Sequence, residues 1–330
     1  MLGLEVSTKD AETTRKKLLE ACLILKEYEL IKSKSKIIFP IINKKNTIKG
    51  KLVKKKFKKK IKKETFDDVL KQILSKKELN FLKTGRDIIG KIAILEIPKE
   101  LEKKENEIAK ALLKTDKVVK TVLKKAGEHS GRFRLQKYKF LAGIKTKETN
   151  YKENNILLKF NIEKVYFSPR LSSERKRISK LINPREKILI MFSGCAPYPI
   201  VLSKNTKAEK IIGIELNPEG HKYGLKNLII NKTKNVDLIN GNVSKEVPKL
   251  KEKFDRIIMP LPRDSPIYLD IALNALKTKG IIHLYYFVEE DKIEEIGRKL
   301  ERKNLKLIKL IKAGQHAPRK YRVCYDFKKI

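Results

Sequence analysis

Residues 187–198, KILIMFSGCAPY, decide the fold of the C-terminal half of the chain. The first six residues predict a buried strand, and the following small residues predict a loop that leads into a helix. Gly194 and Ala196 in this loop would let the backbone come close to a ligand. Glu215 follows Gly194 by 21 positions, at the end of the next apolar run. An acid at this distance can accept hydrogen bonds from both hydroxyls of a ribose, so the pattern favours a nucleoside-cofactor site over an ordinary strand–helix turn in which Glu215 is only a charge at the helix N-terminus.

Two common cofactors, S-adenosyl-L-methionine (SAM) and NAD, contain the ribose that such an acid would hold. The loop lacks the GxGxxG pattern, and Pro197 and Pro199 crowd the place where a pyrophosphate would have to approach the backbone. We therefore favour SAM over a dinucleotide.

Five short apolar runs, separated by helical stretches, extend this pattern across the C-terminal half. They are residues 188–192, 211–215, 236–239, 256–259 and 281–287. Such alternation predicts a parallel, doubly wound sheet. The alternating segment 321–327 predicts a final antiparallel strand. A parallel sheet with an antiparallel end is the plan of a class I, Rossmann-like methyltransferase domain, so the expected fold class is α/β, with smaller α+β domains before it.

Three domains are predicted, at residues 1–63, 64–163 and 164–330. The first boundary is marked by residues 51–63, KLVKKKFKKKIKK, in which nine of thirteen positions are lysine. A charge run of this kind is usually a solvated linker. Because apolar residues interrupt it at near-regular spacing, we favour a segment that contacts RNA.

The composition points to a polyanionic partner. The 330 residues contain 79 Lys and Arg against 39 Asp and Glu, a formal net charge of +40. Displacing the counterions of a nucleic acid would favour binding to such a protein, although a lysine-biased proteome explains part of the excess. The three cysteines fit no zinc spacing and no metal is expected. Neither a signal peptide nor a membrane-spanning segment is predicted, so we expect a soluble, cytoplasmic protein.

The segment KVYFSPRLSSER at residues 164–175 resembles a signature of the archaeal and eukaryotic tRNA (guanine-N1) methyltransferases that act on position 37. The resemblance covers roughly residues 85–330. Several of its motifs are shared with relatives in the wyosine pathway. The other matching segments are residues 89–95, 131–134, 140–143, 191–194, 215–218 and 317–319.

The resemblance implies catalytic roles for two residues. Guanine N1 carries a proton, and Glu174 would remove it as the methyl group arrives. Arg134 would stabilise the negative charge that develops on guanine O6. Tyr166 would pack near cofactor and target, and Arg175 would orient Glu174 or bind a phosphate. Without the family, Glu174 and Arg175 would be interpreted as an exposed pair on a helix.

The resemblance also implies two sets of binding residues. The cofactor set is Tyr166, Phe192, Ser193, Gly194, Cys195, Ala196, Glu215, Leu216, Asn242 and Pro260. The substrate set is Arg170, Arg175, Pro260, Leu261, Pro262, Pro318 and Arg319. The implied partner is tRNA, bound by a monomer at the anticodon loop and the elbow. The target base would have to flip out of the stacked loop.

Three positions depart from the family pattern. Ile190 and Asn242 stand where the family has acids, and Pro260 stands where it has an asparagine that contacts guanine. A looser base contact at Pro260 would admit a larger, tricyclic base, so C7 methylation of a wyosine intermediate is a second expected activity. The alternatives are an aminocarboxypropyl transferase of the wyosine pathway and an RNA-binding protein without catalysis.

Overall fold

The computed structural model describes residues 1–43, 47–60, 64–82, 85–127 and 131–330, and in it the chain divides into two compact units, Met1–Thr65 and Phe66–Ile330. The first unit contains a four-stranded sheet in the order β2-β3-β1-β4 and one helix. Its core includes the buried side chains of Leu4, Leu18 and Phe39. The elements are β1 (Leu2–Ser7), α1 (Ala11–Glu20), β2 (Ile31–Lys32), β3 (Lys36–Pro40) and β4 (Lys51–Lys54).

The lysine run begins in strand β4 and continues past it without regular structure as far as the described residues extend. An isolated bridge joins Lys59 to Tyr28. Residues 61–63 of the run lie outside the described residues. The side chains of Lys54–Lys56 and Lys58–Lys60 are exposed or nearly so, which leaves their charges available to a polyanion.

The second unit begins with a four-stranded sheet in the order β5-β6-β7-β8, followed by a separate hairpin of β9 and β10. Helix α4 packs on this sheet because it places Ile108, Ala109 and Leu112 on one buried face. The elements are α2 (Phe66–Ile73), α3 (Lys76–Phe81), β5 (Arg86–Ile89), β6 (Ile92–Leu95), α4 (Glu105–Thr115), β7 (Thr121–Lys125), β8 (Tyr138–Gly143), β9 (Glu148–Glu153) and β10 (Ile156–Asn161).

A seven-stranded sheet in the order β13-β12-β11-β14-β15-β17-β16 follows in the same unit. The strands are β11 (Lys187–Met191), β12 (Lys210–Glu215), β13 (Val236–Asn240), β14 (Phe254–Met259), β15 (Leu276–Glu289), β16 (Leu305–Ala317) and β17 (Lys320–Lys329). The helices are α5 (Ser172–Ser179), α6 (Pro197–Asn205), α7 (Pro218–Ile230), α8 (Val243–Glu246), α9 (Leu269–Ala275) and α10 (Ile293–Lys299).

The sheet confirms the predicted α/β class. Strands β11–β15 run parallel, and β17 pairs antiparallel to β15 as the alternation of 321–327 predicted. The sequence did not predict β16, whose lysine-rich outer face is typical of an edge strand. Strand β11 lies between β12 and β14. The strands that follow it are therefore added first on one side of β11 and then on the other, so the strand order reverses at β11. Ligands of such sheets bind at the carboxyl ends of the strands beside this switch.

A series of buried charged and polar side chains forms hydrogen bonds between strands of the sheet. The Arg256 guanidinium donates to the Glu186 carboxylate at 2.8 and 3.0 Å and to the Leu181 carbonyl at 2.8 Å. It also lies 2.7 Å from His283 Nε2. Since arginine can only donate, Nε2 is the acceptor, and Nδ1 carries the proton toward Asp326 at 2.5 Å.

No helix among the described residues is long and apolar enough to cross a membrane.

Replacing Arg256 with alanine should lower the free energy of unfolding by about 3–5 kcal/mol, because the Glu186 carboxylate would stay buried without its cation. Urea unfolding followed by circular dichroism measures the change. The Lys277→Ala variant is the control, since the pair of Lys277 with Asp255 is exposed and should contribute less than about 1 kcal/mol. Equal losses in the two variants would show that the buried pair is not a principal support of the sheet.

Candidate active site

A cavity of about 520 Å³ lies at the carboxyl ends of β11, β12 and β14, where the strand order reverses. This volume is in the range of sites for nucleoside-sized ligands. Twelve residues predicted from the sequence line it: Arg134, Tyr166, Arg175, Phe192, Ser193, Gly194, Glu215, Leu216, Asn242, Pro260, Leu261 and Pro262.

The loop after β11 has a strained backbone where it borders the cavity. Phe192, Gly194 and Ala196 have φ angles of +63°, +58° and +67°. Only glycine adopts this left-handed region without cost, so Phe192 and Ala196 are held there by the surrounding packing. Strain of this kind concentrates at functional sites. Ala196 is also the N-cap of α6, and its backbone turns the chain from the loop into the helix.

Glu215 holds the conformation of this loop through hydrogen bonds to its backbone. Its carboxylate accepts hydrogen bonds from the backbone N–H of Gly194 at 2.6 Å and of Asn217 at 2.7 Å. Burial raises the pKa of Glu215, and the backbone hydrogen bonds partly oppose that rise. Each carboxylate oxygen keeps lone-pair capacity that these bonds do not use, which a pair of ribose hydroxyls could fill.

Further features of the cavity wall fit a nucleoside. The hydroxyl of Ser193 is buried and has no hydrogen-bond partner among the residues that the structure describes, so a polar ligand atom would satisfy it. Phe192 and Tyr268 pack edge to face with ring centroids 5.0 Å apart and give the wall an aromatic patch. Asn242 accepts the Ser244 N–H at 3.0 Å. It therefore caps α8.

Arg134 and Tyr166 reach the same cavity from outside the parallel sheet. The Arg134 guanidinium lies 6.0 Å from the centre of the Tyr166 ring. Arg134 has a left-handed φ of +52° in the turn before β8. A cation held over an aromatic ring beside a cavity can stabilise negative charge that develops on a bound base.

Glu174 is buried, whereas the residues alone favoured an exposed position on a helix beside Arg175. It is only 5% exposed. Its carboxylate accepts hydrogen bonds from the Arg177 guanidinium at 2.6–3.0 Å and from the Tyr285 hydroxyl at 2.8 Å. It is not among the described residues that line the cavity, although Leu171 and Arg175, on either side of it in sequence, are.

The expectation that Arg175 orients Glu174 is wrong. Its guanidinium is buried and forms a two-bond ion pair with Glu153 at 2.5 and 2.6 Å. The residue that holds Glu174 is Arg177, three positions along α5. Spacing of i and i+3 on a helix is the signal that could have identified it, because such side chains lie on one face.

Arg177 connects Glu174 to the buried charges of the sheet. The same guanidinium donates to Asp326 at 3.0 Å, and Asp326 accepts from His283. Burial alone would raise the pKa of the Asp326 carboxyl, but the hydrogen bonds from His283 and Arg177 outweigh it and hold that pKa well below the usual range. No feature of the sequence indicated these long-range partners.

His283, Cys324 and Asp326 lie close enough together to suggest a metal site. Their surroundings disfavour a metal dication, because Arg177 and Arg256 already bring two guanidinium charges to these groups. Burial also raises the pKa of the Cys324 thiol well above its ordinary value, which keeps the sulfur protonated. The trio therefore serves the hydrogen-bond network that ends at Glu174.

Besides Glu174, five other predicted residues lie away from the cavity lining. Cys195 and Ala196 belong to the loop after β11 but are fully buried. Arg170 is exposed and pairs with Asp87 at 2.9 Å. Pro318 and Arg319 form the exposed two-residue turn between β16 and β17. The wall also contains residues that the sequence did not indicate, among them Phe167, Tyr198, Arg263 and Tyr268.

Comparison with known proteins gives consistent matches along the chain. Residues 149–310 match the TRM5/TYW2 methyltransferase domain, and residues 66–146 match the TYW2 N-terminal domain. The chain is 34% identical to the tRNA (guanine(37)-N(1))-methyltransferase Trm5b of Pyrococcus abyssi, over 99% of this chain and 98% of that protein. It is 38% identical to the tRNA (guanine(37)-N(1))/4-demethylwyosine(37)-methyltransferase Taw22 of Nanoarchaeum equitans, over 63% of this chain and 86% of that protein. The solved complex of aTrm5 with tRNALeu has a TM-score of 0.74 and 30% identity over 100% of both chains.

A Glu215→Gln variant should bind SAM at least about tenfold more weakly, since a carboxamide loses the charge and one of the acceptors offered to the ribose. Isothermal titration calorimetry measures this. Wild-type affinity should also fall as the pH is lowered through the pKa of Glu215, which lies above the ordinary 4.5, because ribose hydroxyls donate to the ionised form. Glu219→Gln, at an exposed neighbour paired with Lys164, is the control. Unchanged affinity in Glu215→Gln would remove Glu215 from the cofactor site.

Proposed function

The chain belongs to the TRM5/TYW2 methyltransferase family, and from this membership we propose that it methylates N1 of guanosine 37 in tRNA. It is a SAM-dependent methyltransferase. The observation that carries the proposal is the shared cavity. Glu215 and the strained loop form one side of it, and Arg134 and Tyr166, from segments that resemble the guanine-N1 enzymes, form another.

The cofactor would be held by the residues of the first side. Glu215 would accept the ribose hydroxyls, and the Ser193 hydroxyl would gain the partner that it lacks among the described residues. Leu216, Asn242 and Phe192 would enclose the rest of the nucleoside. When bound, SAM supplies an electrophilic methyl group, and the protein does the remaining chemistry.

The reaction at guanine requires a base and an electrophilic partner for the oxygen. We assign Glu174 as the group that takes the N1 proton while N1 attacks the methyl carbon. Arg134 donates to guanine O6, where negative charge builds as the proton leaves. For this role Glu174 must exchange a hydrogen bond from Arg177 or Tyr285 for the one from guanine N1. Catalytic hydrogen bonds often tighten only when the substrate is present.

The same proposal covers how tRNA is bound. The domain of residues 1–63 would check the tRNA elbow, and the domain of residues 64–163 would grip RNA and supply Arg134. The domain of residues 164–330 would receive the flipped base of the anticodon loop. Exposed lysines after β4 would add affinity that does not depend on sequence. We expect the protein to act as a monomer in the cytoplasm, where tRNA is available.

A second activity is favoured by Pro260. This residue lines the cavity in place of an asparagine side chain, so it presents no amide to discriminate guanine from a larger base. Taw22 of Nanoarchaeum equitans, at 38% identity, is named for both guanine and 4-demethylwyosine. We propose that the chain also methylates the tricyclic wyosine intermediate at C7. Arg134 and Glu174 together favour methyl transfer over aminocarboxypropyl transfer.

Glu174→Gln should reduce kcat for methylation of a tRNA transcript with guanosine 37 by about 10²- to 10⁴-fold, the usual contribution of a general base. SAM affinity should stay within about twofold of wild type. Transfer from labelled SAM measures the rate, with an adenosine-37 transcript to confirm the target. Glu294→Gln is the matched control, since Glu294 is exposed on α10. If the Glu174→Gln variant keeps its kcat, another group must act as the base.

Pro260→Asn should shift activity toward guanine by restoring the amide that discriminates against the tricycle. The ratio of methylation rates on tricycle-bearing and guanosine-37 tRNA would fall, by about tenfold for one directional hydrogen bond. Mass spectrometry of the digested nucleosides measures both products and separates a methyl from an aminocarboxypropyl group. If the wild-type protein adds nothing to the tricyclic base, the second activity is excluded and the first is untouched.

A further inference from the structure

Three side chains form a stacked group on the antiparallel end of the large sheet. Phe287 on β15 stacks against His316 on β16, with ring centroids 3.9 Å apart and planes at 19°. Arg322 on β17 is the ladder partner of Phe287, and its guanidinium lies 5.3 Å from the Phe287 ring centre. His316 is exposed, whereas Phe287 is half-buried. An aromatic pair with one accessible ring is a surface on which a nucleobase can stack.

This group is connected directly to the rim of the cavity. The backbone N–H of Phe287 donates to the carbonyl of Pro262 at 2.7 Å. Pro262 and Arg263 are both part of the cavity wall. The backbone of Phe287 is therefore adjacent to a residue of the cavity wall.

The surroundings of His316 are strongly basic. Burial lowers the pKa of His316, and the nearby charges of Arg322, Lys320, Arg134 and Arg263 lower it further, which favours the neutral ring. A neutral imidazole keeps its face available for stacking.

Arg322 is the second observation that points to a ligand. Its side chain is only 8% exposed, and its Nε has no hydrogen-bond partner among the residues that the structure describes. A buried donor without a partner is costly, and such a group is usually satisfied by something that binds there. Since the surroundings are cationic, the acceptor that fits is an anionic oxygen such as a phosphate.

We propose that His316 and Phe287 form a stacking platform for the base of a nucleotide next to the target guanosine, while Arg322 and Arg263 bind the adjacent phosphate. The inference rests on the proposed function, because it requires the target to be flipped into the cavity. Flipping removes a base from the loop and leaves its neighbours without a stacking partner. A platform at the rim replaces that lost contact and holds the loop open during methyl transfer.

The test combines binding and kinetics on anticodon stem-loops that carry 2-aminopurine at position 36 or at position 38. Stacking on His316 should quench the fluorescence of one of the two probes when wild-type protein binds. His316→Ala should lose this quenching and His316→Phe should retain it. Gln315→Ala is the matched control, since Gln315 is the exposed neighbour of His316 on β16.

The kinetic expectation is a loss of about 5- to 150-fold in kcat/KM for tRNA in His316→Ala, the range for removing one base-stacking side chain. SAM affinity should be unchanged. Equal fluorescence for all variants at both probe positions, with kcat/KM within about twofold of wild type, would overturn the platform while leaving guanosine methylation intact. If wild-type protein quenches a probe through His316 but methylates no guanosine, the platform stands and the proposed function fails.

Discussion

The structure depends on one chain of largely buried charged and polar groups that crosses the large sheet. It runs from Glu186 through Arg256, His283, Asp326 and Arg177 to Glu174, and every member has a partner of opposite charge or a hydrogen bond. Such groups are tolerated away from water only when all of them are satisfied. Because each arginine joins two members of this chain, loss of one member leaves the next uncompensated. The position of the proposed base is therefore fixed by strands β14, β15 and β17 as much as by its own helix.

The loop that lines the cavity follows a different physical rule. There the backbone bends into the left-handed region at Phe192, Gly194 and Ala196, beside the cavity. The Glu215 carboxylate holds this bend through the N–H groups of Gly194 and Asn217. A single acid thus shapes the loop and keeps capacity for a ribose. Ile190 replaces an acid of the family in β11 but is fully buried, so it contributes to the core.

Separate structural elements around the cavity have separate roles. The parallel strands supply a rigid edge for the proposed cofactor site, and the turn before β8 brings in Arg134. The antiparallel end of the large sheet contributes Phe287, His316 and Arg322 at the rim. The charge of +40 adds attraction to a polyanion, whereas in the proposed function the few side chains around the cavity select the base.

The sequence by itself determined the parallel sheet, its antiparallel end and the cofactor loop, because apolar periodicity and the spacing of Gly194 from Glu215 are local properties of the chain. Through the family motif it also pointed to Arg134 and Tyr166 beside the cavity. It could not reveal that Arg177 rather than Arg175 holds Glu174, that Asp326 lies 149 positions along the chain from its partner Arg177, or that His316 stacks on Phe287. Only the tertiary structure decided these contacts, because a buried charge takes whichever partner the packed strands bring near it, and that choice leaves no periodic signal in the sequence.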